Sequence, residues 1–412
     1  MNKTGFIYKC TDCGREYNSG ETMYLCPACS STNSVMTPPA GVLNILYDYQ
    51  AVLKNNPGFD ALKKRSFTDL LPIASADSLP PLRVGNTPLY QMSTLDGVRI
   101  PFRLHLKDDS QNPTLSFKDR ASALVSAYAI ENGLGTIVTA STGNAGSSLA
   151  GICASQGQKA VIIVPEKAPL AKLTQIIMYG ATLVPVKGTY DDAFDLSIRA
   201  SSEFGWYNRN TAYNPLTIEG KKIVSFELFE QLKQSVPDRI FVPVGDGVII
   251  SGIYKGFEEL IRMNMTDRMP VIVAVQSEKS DNLVRNIPLK EFSVIPSSTV
   301  ADSISVDIPR NFLMTRRYMQ KYRGEAVTVT DDEILRASSV LSRTTGLFAE
   351  PAASAAFAGL LAYRRDNMIA ENSDNVVMLT GSGLKDLKAV SGIITMPDSI
   401  SPSIDELKSL LL

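Results

Sequence analysis

The sequence predicts an α/β protein of two packed domains behind a small cysteine-rich module. From about Leu89 onward, short β-branched runs alternate with amphipathic stretches, the pattern of βα units that build parallel-rich twisted sheets flanked by helices. The chain has 412 residues, well beyond the roughly 250–300 at which one core stops growing. Four of the five cysteines also crowd into the first 30 residues as two Cys-x2-Cys pairs.

Those pairs, Cys10/Cys13 and Cys26/Cys29, are separated by 12 residues. This spacing lets two turns converge four thiolates on one Zn²⁺, and in a reducing compartment it argues for metal over disulfides. The ribbon so defined covers residues 1–38 and ends in the stiff Thr37-Pro38-Pro39. The fifth cysteine, Cys153, reads as a small buried core residue. Helical spacing follows over residues 42–53 and 59–71. Strands are then expected at 136–139, 160–164, 182–186, 239–244, 271–275 and 376–380. Helical segments are expected at 119–132, 147–156, 169–180, 191–204 and 253–263.

Forty-one basic and 42 acidic residues give a net charge of −1, which offers no electrostatic case for nucleic acid or an anionic membrane. No apolar run approaches the roughly 18 residues of a membrane span, and the polar start lacks a signal-peptide core. The expectation is a cytoplasmic protein acting on a small molecule.

In parallel sheets, ligands collect where strand ends lead into helix N-termini. Three such transitions here are rich in small residues: Ser141-Thr142-Gly143-Asn144, Gly245-Asp246-Gly247-Val248-Ile249, and Thr380-Gly381-Ser382-Gly383. The second is no dinucleotide fingerprint, because Ile250 stands where a third glycine is required. Together the three suggest one composite ligand site. The single histidine, His105, lies in an apparent strand, which leaves lysine chemistry as the better candidate. Lys118 follows a polar turn through Pro113 and opens a helix, where desolvation and the helix dipole favour a neutral, imine-forming amine.

These residues carry a resemblance. Asn112-Pro113-Thr114-Leu115-Ser116-Phe117-Lys118-Asp119-Arg120 resembles the motif of threonine synthases whose lysine binds pyridoxal phosphate (PLP) as a Schiff base. Asn214-Pro215, Glu219-Gly220-Lys221-Lys222, Phe348-x-Glu350-Pro351 and Thr380 to Asp386 are similar to further family motifs in the family's order, and several members carry a zinc ribbon. The resemblance implies the fold type II PLP architecture: a large α/β domain over 39–114 and 206–412, and a small one over 115–205. It implies Lys118 as catalytic and cofactor-binding, Gly245, Asp246, Gly247, Val248 and Ile249 at the cofactor phosphate, Asn144 at the ring hydroxyl, and Thr380 at the pyridine nitrogen. Ser116, Ser141, Thr142 and Gly143 would receive the substrate, and Cys10, Cys13, Cys26 and Cys29 the zinc. It further implies a homodimer that converts O-phosphohomoserine and water to threonine and phosphate.

The chain departs from that pattern at Leu115, where the family has Gly, at Asp246 for Asn, and at Val248-Ile249 for Gly-Asn. These changes keep a second reading open: β-elimination or β-replacement on serine, threonine or O-phosphoserine, as in a dehydratase, ammonia lyase or cysteate synthase-like enzyme. A phosphorylated substrate needs cations, for which Arg120, Lys172, Arg209 and Lys222 are candidates. The ribbon sets Lys3, Lys9 and Arg15 against Asp12, Glu16 and Glu21, so a structural clip is expected rather than a nucleic-acid module.

Overall fold

The computed structural model describes residues 5–34 and 37–411; Lys3 of the ribbon lies outside them. Strands β1 (Phe6–Cys10), β2 (Glu16–Asn18) and β3 (Leu43–Tyr47) form an antiparallel sheet in the order β2-β1-β3. The ribbon sheet therefore takes a strand from beyond residue 38. A helical reading of 42–53 gives way here to β3 followed by a helix over Tyr49–Asn55. Leu43, Ile45 and Tyr47 alternate buried with half-buried neighbours, and the open edge of β1 selects period 2 over period 3.6. Asp48 then caps the helix by accepting from the Ala51 N–H at 3.0 Å. Helical spacing over 59–71 holds only through Phe59–Lys64, after which Ser66 and Phe67 turn left-handed.

A six-stranded sheet holds β4 (Leu89–Leu95), β5 (Val98–Asp108), β10 (Arg239–Pro243), β11 (Val271–Ser277), β12 (Glu325–Val329) and β13 (Asp374–Leu379), in the order β12-β11-β10-β13-β5-β4. Only the edge pair β4–β5 is antiparallel. A four-stranded parallel sheet holds β6 (Thr136–Ala140), β7 (Lys159–Pro165), β8 (Thr182–Val186) and β9 (Tyr207–Asn208), in the order β8-β7-β6-β9. Strand β9 carries this sheet past residue 205. Central strands such as Ile240–Val242 and Val376–Leu379 are buried throughout because helices cover both faces. His105, on β5, is buried with Nε2 3.2 Å from Asp374 Oδ1 on β13, a satisfied strand histidine. Cys153 is fully buried, and burial pushes its thiol up to about 12.

Two closed ion-pair clusters stiffen the larger sheet's surroundings. In one, Arg120 bonds Asp109 at 2.5 Å and Glu227 at 2.6 Å, and Lys107 bonds Glu227 at 2.7 Å. In the other, Lys222 and Lys255 each pair with both Glu219 and Glu259 at 2.6–3.1 Å. All of these groups are buried and mutually satisfied, so none is free to bind a ligand.

Candidate active site

Lys118 stands at the N-cap of the helix Asp119–Glu131, and the chain before it is bent by local bonds. Buried Asp119 accepts from the Thr114 N–H at 2.7 Å and from the Thr114 hydroxyl at 2.5 Å, closing the turn after Pro113. The Phe117 N–H donates to the Thr380 carbonyl and the Ser382 N–H to the Leu115 carbonyl, which fastens this turn to the end of β13. Leu115 sits at φ +67°, a left-handed conformation that suits glycine, the residue the motif has at this place. Lys118 Nζ donates no hydrogen bond among the described residues. Burial lowers its proton affinity, opposed by the carboxylate of Glu350 and reinforced by Arg209.

The loop after β6 delivers Ser141, Thr142 and Gly143 to the N-terminus of the helix Asn144–Ser155. Asn144 is held by its Nδ2, which donates to both carboxylate oxygens of Glu350 at 3.0 Å. Glu350 is buried, which raises its pKa against the pull of Asn144 and Lys118. A Cβ on Gly381 would stand 2.5 Å from Glu350 Oε1, so this contact accounts for the glycine.

After β10, the helix Val248–Arg262 starts with Gly247 as N-cap, several residues earlier than sequence spacing suggests. Val248 and Ile249 thus supply first-turn N–H groups that lack intrahelical partners. Gly247 has φ +85°, and a Cβ there would meet Thr315 Oγ1 at 2.3 Å. Its carbonyl accepts from Thr315 Oγ1 at 3.0 Å and Asn311 Nδ2 at 3.2 Å. Asp246 Oδ1 accepts from the Arg310 N–H at 3.0 Å, so Asp246 is tied to the 310–311 segment rather than capping the helix near Gly252.

These three loops enclose a cavity of about 430 Å³ lined by Lys118, Ser141 to Ala145, Gly245 to Ile250, Glu350 and Thr380, within the roughly 300–1,000 Å³ of small-ligand sites. Every expected cofactor and substrate residue lines it except Ser116, whose hydroxyl is buried without a partner. The residues fit a phosphorylated aldehyde: one cavity is lined both by a lysine amine without a hydrogen-bond partner and by a helix N-terminus that follows two glycines. Two cavity residues stand in the sequence motifs above without an assigned role. Glu350 was visible only as part of a motif, and Lys221, 1% exposed and lining the cavity, had no distinguishing pattern beside Lys222.

A second cavity of about 450 Å³ shares Thr142, Gly143 and Asn144 with the first and adds Leu115, Lys172 and Lys385. Of the four cations considered for a phosphorylated substrate, Arg120 and Lys222 are consumed in the clusters above, and Lys172 pairs with Asp302 at 2.6 Å. Arg209 is fully buried with Nη2 unpartnered. In the ribbon, the four cysteine Sγ atoms lie within 4.8 Å of one another, with Cys10–Cys29 and Cys13–Cys26 both at 3.8 Å. Thiolates about 2.3 Å from Zn²⁺ at tetrahedral corners would be about 3.8 Å apart, so the donor set fits.

Comparison with known proteins agrees with this geometry. The family described as "Pyridoxal-phosphate dependent enzyme" matches residues 81–381. A threonine synthase of Methanocaldococcus jannaschii is 33% identical over 98% of this chain and 99% of its own length. One from Methanosarcina acetivorans is 33% identical over 98% of each. Among solved structures, maize serine racemase superposes with a TM-score of 0.64 at 22% identity, over 75% of this chain and 92% of that one. An L-serine ammonia-lyase from Rhizomucor miehei gives 0.63 at 18%, over 75% and 97%; likenesses this distant bear on fold alone. The shared architecture is fold type II, and the chain belongs to the pyridoxal-phosphate-dependent enzymes, among relatives of the threonine-synthase type.

Proposed function

We propose that the protein is a threonine synthase, taking O-phosphohomoserine and water to threonine and phosphate. The observation that carries this reading is that the unpaired Lys118 amine and the N-terminus of the helix Val248–Arg262 line one cavity, in a chain similar over 98% of its length to threonine synthases. Bound PLP supplies an electron sink that acidifies the substrate's Cα and, in turn, Cβ.

The chain's residues have these roles in the proposal. Lys118 would hold the cofactor covalently, and its amine would serve as the base and acid that moves protons at the substrate's Cα and Cβ. Val248 and Ile249 N–H groups, with Gly245 and Gly247, hold the cofactor phosphate. Asn144, braced by Glu350, orients the ring hydroxyl side. Thr380, which lines the same cavity, would offer a neutral hydroxyl to the ring nitrogen, a partner that would favour elimination and replacement. Ser141, Thr142 and Gly143, with Ser116 behind them, take the substrate α-carboxylate. The cysteine quartet holds a structural Zn²⁺. The same reading includes a cytoplasmic homodimer, a ribbon over 1–38, a large domain over 39–114 and 206–412, and a small domain over 115–205; the separate six- and four-stranded sheets support that division, with β3 and β9 crossing its boundaries. Among the described residues no helix is long and apolar enough to cross a membrane.

Absorbance of the purified protein, with phosphate and threonine followed after addition of O-phosphohomoserine, tests the proposal. A visible cofactor band, lost in Lys118→Ala, with equal yields of phosphate and threonine is the expected result. A band that responds to serine, threonine or O-phosphoserine without threonine formation would move the function to β-elimination or β-replacement.

A further inference from the structure

Lys221 and Lys222 are adjacent on the helix Leu216–Gln231, yet their surroundings are opposite. Lys222 is closed into ion pairs with Glu219 and Glu259. Lys221 is equally buried but donates no hydrogen bond and makes no ion pair among the described residues, and it lines the active-site cavity. An unpartnered buried amine of this kind is costly unless something arrives to meet it.

Its position points to what arrives. A Cβ on Gly252 would lie 2.9 Å from the Lys221 Cβ, so the Lys221 stem runs against the opening turns of the helix Val248–Arg262. That helix begins two residues after Asp246, a carboxylate beside the place proposed for a phosphate dianion. Left alone, the two would repel. Burial and the neighbouring cations Lys118 and Arg209 lower the proton affinity of Lys221 well below that of an ordinary lysine, and Asp246 opposes them.

Building on the PLP reading, we propose that Lys221 is a cofactor-binding residue whose ammonium meets the PLP phosphate and offsets Asp246, the two forming a compensating charge pair in the phosphate site. The cation supplements the helix N–H groups, and its value depends on the carboxylate it offsets.

Binding of PLP, and of pyridoxal, which lacks the phosphate, to cofactor-stripped protein tests this by equilibrium dialysis with the visible band followed in parallel. Lys221→Met and Lys221→Gln should weaken PLP by about ten- to a hundredfold, the range of a hydrogen bond to a charged group, and leave pyridoxal unchanged. In an Asp246→Asn background the same substitutions should cost severalfold less. Circular dichroism melting of the stripped variants identifies any that fail to fold, and the Asn background supplies the comparison if one does. Unchanged PLP affinity, an equal loss for pyridoxal, or an equal loss in both backgrounds overturns the proposal while the PLP assignment stands. Absence of any band in the unaltered protein overturns the PLP assignment itself.

Discussion

The hydroxyl of Tyr47 donates a 2.8 Å hydrogen bond to Oε2 of Glu219, joining the last ribbon strand to the helix that carries Lys221. Lys222 Nζ also lies 4.4 Å from the centre of the Tyr47 ring, and Lys255 donates to Asn44 Oδ1 at 2.9 Å and to the Ile45 carbonyl at 2.5 Å. The ribbon is thus anchored on the two helices that border the cofactor cavity. Tyr47→Phe is expected to cost about 1–3 kcal/mol, because it leaves a buried carboxylate short of a donor. Glu219→Ala is expected to cost about 3–5 kcal/mol, because Lys222 and Lys255 lose a buried partner. Denaturant unfolding of the two variants measures both; equal, small effects would show the network to be unimportant.

Leu115 keeps a left-handed backbone at φ +67°. That conformation costs an L-residue about 1–2 kcal/mol, part of which glycine's unfolded-state entropy returns. Leu115→Gly should therefore be neutral or stabilising by up to about 1 kcal/mol, whereas β-branched Leu115→Val should destabilise by about that much or more. Thermal melting of the three proteins gives the order, and a Val variant as stable as the Gly one contradicts the strain argument.

Lys385 donates to Ser147 Oγ at 2.7 Å, to Gln175 Oε1 at 2.6 Å and to the Thr114 carbonyl at 3.1 Å. Burial nonetheless lowers its pKa to about 8, against the pull of Glu350 and Asp119. The unfolded chain then binds more protons than the folded one between about pH 8 and the ordinary lysine value near 10.4. Its contribution to stability should rise with pH across that window and be least favourable below pH 8. The pH dependence of unfolding for the parent against Lys385→Gln isolates this term; parallel curves would refute it.

Metal analysis of the purified protein should find a single Zn²⁺ per chain, bound by the four converging thiols. Cys10→Ser or Cys26→Ser should abolish it and lower the melting temperature, since both side chains are buried in the ribbon core. Retention of full zinc by either variant would place the metal elsewhere.

Local patterns determined much of this protein in advance. The cysteine spacing, the alternation of strands and helices, and the loops around Lys118, Asn144, Gly245 and Thr380 are readable because each depends on residues close in sequence. The structure assembles those loops into one cavity in a chain of the PLP-dependent family. Tertiary packing decided the rest. It turned residues 43–47 into a strand because β1 had an open edge, drew Glu350 to within 3.0 Å of Asn144 across 206 residues of chain, and moved the helix start back to Val248. It also separated Lys221 from Lys222, neighbours with the same side chain. One residue of helix is about a 100° turn. That turn sets one amine among Glu219 and Glu259 and the other against an open cavity, and only the arrangement of distant segments says which is which.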